Sequence, residues 1–101
     1  MKAQLVEVPY DWHDTYRISQ AFTIGDLVIT SGHGAIDDNG QIVGVGDFRA
    51  QAIKTLENLR NTLEAAGSGF DKLIKVNIYV KDMATNFPTV VEMRERFFTK
   101  P

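Results

Sequence analysis

The sequence predicts an α+β domain, with one mixed sheet and two helices packed on one of its faces. Three observations carry this. Two apolar runs, "SQAFTI" and "LVITS", are joined by Gly25-Asp26, a hairpin signal. From Asp47 onward, apolar residues recur at steps of four and three, the period of one helical face. "KLIKVNIYVKD" alternates apolar and polar residues, the period of a strand. Residues 1–101 make a single domain, because two cores cut from so short a chain would each be too small to be stable.

Taken in order, Lys2 to Val8 reads as a short strand, with Leu5 and Val6 apolar. "PYDWHDTYR" is turn-rich and aromatic and predicts a loop packed onto the body. The hairpin follows, with Gly25 suited to positive φ at the first turn position. Asp38-Asn39-Gly40 is a second turn, and "QIV" a short strand after it. The first long helix starts at Asp47, a good N-cap, with Phe48, Ala52, Leu56, Leu59, Leu63 and Ala66 on one face. Gly67 ends it where a left-handed residue is favoured. In the next strand Ile74, Val76, Ile78 and Val80 face one way, and Leu73, Lys75, Asn77 and Tyr79 the other. "NFPTVVEMRERFF" predicts a second helix, with Asn86 as cap and Pro88 in the first turn. The passage from strand through helix to strand around Asp47 should be a right-handed crossover. No strand follows the second helix, so the sheet is expected to keep an unpaired edge unless a partner covers it.

Composition narrows the chemistry. Eleven basic and 13 acidic residues give a net charge of -2, with no basic run, so a phosphate-backbone binder is disfavoured. The chain has no cysteine, which excludes disulfides, zinc-thiolate sites and thiol catalysis. "MKAQLVEVPYDW" lacks the apolar core of a signal peptide, and no run has the length of a membrane span. The expected location is therefore the cytoplasm. "AIDDNG" fails as a calcium loop because Ala35 would be its first ligand. "GVGDFR" fails as a dinucleotide fingerprint because Arg49 stands where the third glycine belongs. Two histidines without further ligands do not make a metal site.

The stretch "VITSGHGAIDDNGQIVG" breaks a good strand with Ser31-Gly32-His33-Gly34. Two readings are open. The glycines can simply let the chain bend. Alternatively, Gly32 lets a ligand approach the backbone with no Cβ in the way. If the stretch stays extended, the side chains of Ser31 and His33 share a face, but no orienting third group or nucleophile elbow completes a triad. His33 is a candidate catalytic proton shuttle or ligand donor, since its charge changes near neutral pH. His13, beside Trp12, reads as structural, and Arg94 as a long side chain with its head in water.

The blocks "SQAFTIGDLVITSG", "GQIVG", "QAIKTLENLRNTLEAAGSGFDKLIKVNIYVKDM" and "RERFFTKP" occur in order and resemble the RidA family, also called YjgF or L-PSP endoribonuclease. The resemblance runs from about Ser19 to Pro101. It implies a chorismate-mutase-like fold, a homotrimer with clefts between subunits, and no metal or organic cofactor. It also implies hydrolysis of reactive enamines and imines, carboxylate-bearing molecules, to keto acid and ammonia. The Ser31-Gly32 backbone falls where the family contacts substrate, and His33 where it typically has glutamine. Ile18 stands at the family's site tyrosine, with Tyr16 two residues before it, and Val91 at a frequent asparagine. The arginine that grips the substrate carboxylate and the glutamate that handles water belong to the family's closing strands, which residues 1–101 are expected to lack. Arginine suits a carboxylate because its planar fork makes two hydrogen bonds. The expectation is an imine deaminase. A non-catalytic binder of small carboxylates is the alternative. An RNA-cleaving translation inhibitor, though named in the family, is opposed by the acidic balance.

Overall fold

The structure, a computed structural model, describes residues 2–10 and 12–99. Gly25, at φ 57, turns β2 (Ala21–Ile24) back onto β3 (Leu27–Thr30) as an antiparallel pair. A non-glycine residue in this left-handed region would crowd its own Cβ. β1 (Gln4–Leu5) pairs with the other edge of β2, Leu5 opposite Phe22, and the Val6 N–H continues the ladder to the Ala21 carbonyl at 3.0 Å. The order is β1-β2-β3. Period-two alternation separates its faces. Ala21 is buried on one, while Leu5, Phe22 and Ile29 stand side by side and exposed on the other.

Between β1 and β2 the expected loop instead holds a short helix, α1 (Trp12–Tyr16). Its rings hold it together. Trp12 meets His13 edge-on at 4.1 Å and Tyr16, one turn on, at 6.2 Å. The Ile18 N–H closes the helix onto the His13 carbonyl at 2.9 Å. "QIV" makes only one isolated bridge, Ile36 to Ile42.

α2 (Phe48–Ala65) begins where the sequence puts it, the Asp47 carboxylate accepting the Ala50 N–H at 3.0 Å. Its apolar stripe meets α3 (Met83–Phe97) through Leu59, Leu63, Val90 and Met93, all buried. Burying each such side chain contributes about 1.5–3 kcal/mol. A half-exposed ion pair, Arg49 to Glu92, also joins the helices. α3 starts three residues before Asn86. The Asp82 carbonyl accepts the N–H groups of Thr85 and Asn86, and the Asn86 side chain reaches back to the Lys81 carbonyl at 2.9 Å. Pro88 therefore lies in the second turn, where its missing N–H removes one helical bond.

The largest difference from expectation is residues 73–80. They alternate as a strand should, yet they make no ladder bond among the described residues, and Ile74 and Tyr79 are 86% and 92% exposed. The sheet is accordingly three-stranded and antiparallel; it would be mixed only with this segment as a further strand. A strand exists through its neighbours, and here the neighbour is a groove of about 950 Å³. β3 lines one side of it, residues 74–81 the other, and Leu56, Leu59 and Met93 the helical wall. The groove leaves the molecule open: its radius of gyration is 14.2 Å, against about 13 Å for a compact chain of this length.

Candidate functional site

The break after β3 is held from both sides. On the sheet side, the Gln20 carbonyl accepts the Ser31 N–H at 2.9 Å and the Ser31 hydroxyl at 3.3 Å. On the helix side, His33 lies between the Ser31 carbonyl, 3.1 Å from Nδ1, and the Thr62 hydroxyl, 2.9 Å from Nε2. A carbonyl only accepts, so in the neutral ring Nδ1 carries the proton and Nε2 accepts from Thr62.

Further along, α2 supports the same loop with uncharged side chains. Asn58 donates through Nδ2 to the carbonyls of Gly34 (2.9 Å) and Ile36 (2.7 Å), and Gln51 donates to the Val43 carbonyl at 3.1 Å. The Asp37 carboxylate accepts the N–H groups of Asn39 and Gln41, each at 2.9 Å, and so shapes the turn. Gly40, at φ 80, lies against Trp12, whose ring atoms would stand 3.0–3.3 Å from an added Cβ. The glycine thus serves both the turn and the close approach of the indole.

These elements enclose a small pocket of about 110 Å³, lined by Trp12, His13, Ile18, Gly32, His33 and Thr62 among others. It has room for about three or four waters. His13 is buried and accepts a hydrogen bond from the Gln20 side-chain amide at 3.2 Å. Burial holds the pKa of His13 below the ordinary histidine value, opposed by Asp14. Burial also lowers that of His33, which its bond to Ser31 opposes and His13 reinforces. Tyr10 is pushed up by burial and by Asp38. Both imidazoles are therefore neutral at pH 7. Among the described residues, no group of three side chains could hold a metal ion.

The structure brings Ile18, Gly32 and His33 to one pocket. Ser31 adjoins them, with its hydroxyl engaged by Gln20 rather than by His33. Tyr16 is exposed against Trp12, and Val91 is exposed on α3; neither lines this pocket. Arg94 lies with its guanidinium 5.4 Å from the Phe98 ring and borders the larger groove. The residues that sequence reasoning passes over are Gln20, Gln51, Asn58 and Thr62. A signal for three of them was present: Gln51, Thr55, Asn58 and Thr62 fall at steps of four, three and four, an uncharged polar stripe beside the apolar one.

No helix among the described residues is long and apolar enough to cross a membrane. Known proteins resemble the chain closely. It is 38% identical over 81 residues to a 2-iminobutanoate/2-iminopropanoate deaminase of Salmonella typhimurium, covering 80% of this chain and 62% of the relative. It is 33% identical over 81 residues to a RutC family protein of Pyrococcus abyssi, covering 79% and 62%. The chain thus spans a little under two thirds of the length of these relatives. Among solved structures, the protein YJGH superposes with a TM-score of 0.83 at 28% identity, over 99% of this chain and 75% of that one. RidA from an Antarctic Psychrobacter superposes at 0.73 and 29% identity, over 82% and 66%. The profile of the Endoribonuclease L-PSP family matches residues 13–101. With the α+β fold and the blocks around Ser31-Gly32 in place, the chain belongs to this family, the RidA/YjgF family.

Proposed function

We propose that the chain is part of a cytoplasmic deaminase that hydrolyses small carboxylate-bearing imines, of the 2-iminobutanoate type, to keto acid and ammonia. The observation that carries the reading is the Gly32 backbone. Its N–H has no partner among the described residues, and a Cβ placed there would meet nothing within 4 Å. An N–H left free on a residue with no side chain in the way is a ready donor to a carboxylate or carbonyl oxygen. Identity to a named deaminase supports the choice of substrate class. No metal or organic cofactor is required by this chemistry. An imine next to a carboxylate is already reactive, and holding it beside one water supplies much of the acceleration.

The working unit is a homotrimer in this reading. Leu5, Phe22, Leu27 and Ile29 form an exposed apolar sheet surface suited to another subunit, and Tyr16 and Val91 could join Gly32 only across such an interface. The test is ammonia release from freshly generated 2-iminobutanoate, followed with and without the protein. A rate equal to buffer refutes the reading. Among the described residues the pocket's lining includes no arginine, and Ile18 stands where a tyrosine is expected, which favours a second reading, a non-catalytic binder of small carboxylates. A heat-stability shift with keto acids but no turnover would select it. RNA cleavage is disfavoured by the net charge of -2.

A further inference from the structure

We infer that His33 is a positioning residue: strapped to Thr62, it fixes the Ser31–Gly32 peptide so that the Gly32 N–H faces away from α2, toward an incoming ligand oxygen. This rests on the proposed role of Gly32 as the oxygen-binding donor.

The argument is geometric. The Ser31 carbonyl and the Gly32 N–H belong to one peptide unit, and no peptide in the described chain is cis. In a trans unit the C=O and N–H point in opposite directions within one plane. Whatever holds the carbonyl therefore aims the amide. His33 Nδ1 donates to that carbonyl, and the only other ring nitrogen accepts from Thr62, a buried hydroxyl on a rigid helix. With Nε2 engaged, the ring cannot turn over without losing both bonds. The Ser31 carbonyl sets the tautomer, because a hydroxyl can either donate or accept; Thr62 holds the ring in place, and the ring holds the peptide. The Gln20 carbonyl restrains the Ser31 N–H, so the peptide just before this unit is fixed as well. Without the strap, glycine at position 32 would let the peptide rotate with little penalty. Both nitrogens of His33 have structural partners, so its contribution passes through the backbone rather than through proton transfer to the ligand.

The substitutions separate the parts. His33→Ala removes the donor. His33→Asn keeps a side-chain N–H the same number of bonds from Cα as Nδ1, and so restores the bond to Ser31 without Thr62. Thr62→Val keeps the shape and removes the hydroxyl. The measurement uses the 15N-labelled chain. Long-range nitrogen–proton spectra should show His33 protonated at Nδ1 alone, and Thr62→Val, which keeps that tautomer but frees the ring, should speed hydrogen exchange of the Gly32 amide. Titration with 2-oxobutanoate should move the Gly32 amide resonance. His33→Ala should weaken that binding about tenfold, and His33→Asn should recover most of it. Amide dispersion in each variant establishes that it is folded, and Thr62→Val serves if His33→Ala is not. An Nε2-protonated His33 in the wild type overturns the inference, as does a Gly32 amide whose shift and hydrogen exchange are the same in wild type, His33→Ala and Thr62→Val. If the wild type binds no keto acid, the functional reading falls, while the tautomer and Gly32 exchange comparisons still decide whether the strap exists.

Discussion

Replacing Asn58 by alanine should destabilise the protein by about 2 kcal/mol, because one side chain holds two carbonyls at once. Its Nδ2 donates to Gly34 and Ile36 at 2.9 and 2.7 Å from a part-buried position on α2. Each such bond contributes about 1 kcal/mol net, and the Ile36 carbonyl, left without a donor, keeps the cost from being smaller. A domain of this length unfolds with an entropy of about 0.2 kcal/mol/K, so the loss corresponds to a fall in Tm of about 10 °C. Thermal melts followed by circular dichroism measure the fall, and hydrogen exchange of the Ile36 and Val43 amides localises it to the loop. Asn58→Asp is the sharper variant. It has the same shape, offers no donor, and sets a negative oxygen against two carbonyls, so it should cost at least as much as alanine. A Tm within about 2 °C of wild type for both variants, with unchanged exchange, would refute the claim that α2 supports the loop through Asn58.

Acid should weaken the fold through its histidines. His13 and His33 both have folded-state pKa values below their unfolded ones, chiefly from burial. The unfolded chain then binds more protons, so stability is complete above about pH 6.5 and falls below it, by at most about 1.4 kcal/mol per pH unit for each histidine. Urea titrations between pH 7.5 and 5 test this, and a flat profile contradicts it. Gly40→Ala should cost about 1–2 kcal/mol or more, since it combines a left-handed backbone with a 3.0 Å contact to Trp12; an unchanged denaturation midpoint is the contrary result. Glu92→Gln should cost less than about 1 kcal/mol, and less still in 1 M salt, because the pair with Arg49 is half-exposed. A loss above about 2 kcal/mol would mean the pair is not acting as a surface one.

What was legible in the sequence is what depends on near neighbours in the chain. Gly25 makes its turn alone, and Asp47 caps α2 with atoms three residues away. The stripe from Leu59 to Leu63 needed only the helical period. Residues 73–80 could be recognised as able to be a strand, but pairing is a property of two segments, and alternation in one is silent about the other. The start of α3 was misplaced for a related reason. Asn86 has the chemistry of a cap, yet its amide bonds the Lys81 carbonyl once Asp82 has already turned the chain. At the site, Gly32 and His33 stood out by residue type. Thr62 did not, because a threonine inside a helix looks like a weak helix former until the histidine 29 positions earlier is seen to meet it. Tyr16 and Val91 were placed by analogy with the family, and within one chain they lie away from Gly32.

The bare segment between the helices has one more consequence. "VNIYVK", residues 76–81, is six residues of alternating apolar and polar character, without proline or glycine and unpaired along its length. Such hexamers stack on copies of themselves into cross-β fibrils. The helices on either side limit how closely two molecules can align, and Lys75 and Lys81 set a positive charge at each end of the apolar run. Flanking lysines act as gatekeepers, since stacked in register they repel one another at every layer. The chain thus carries a latent polymerisation seed together with its own brake, and that brake should fail first where salt is high enough to screen the lysines.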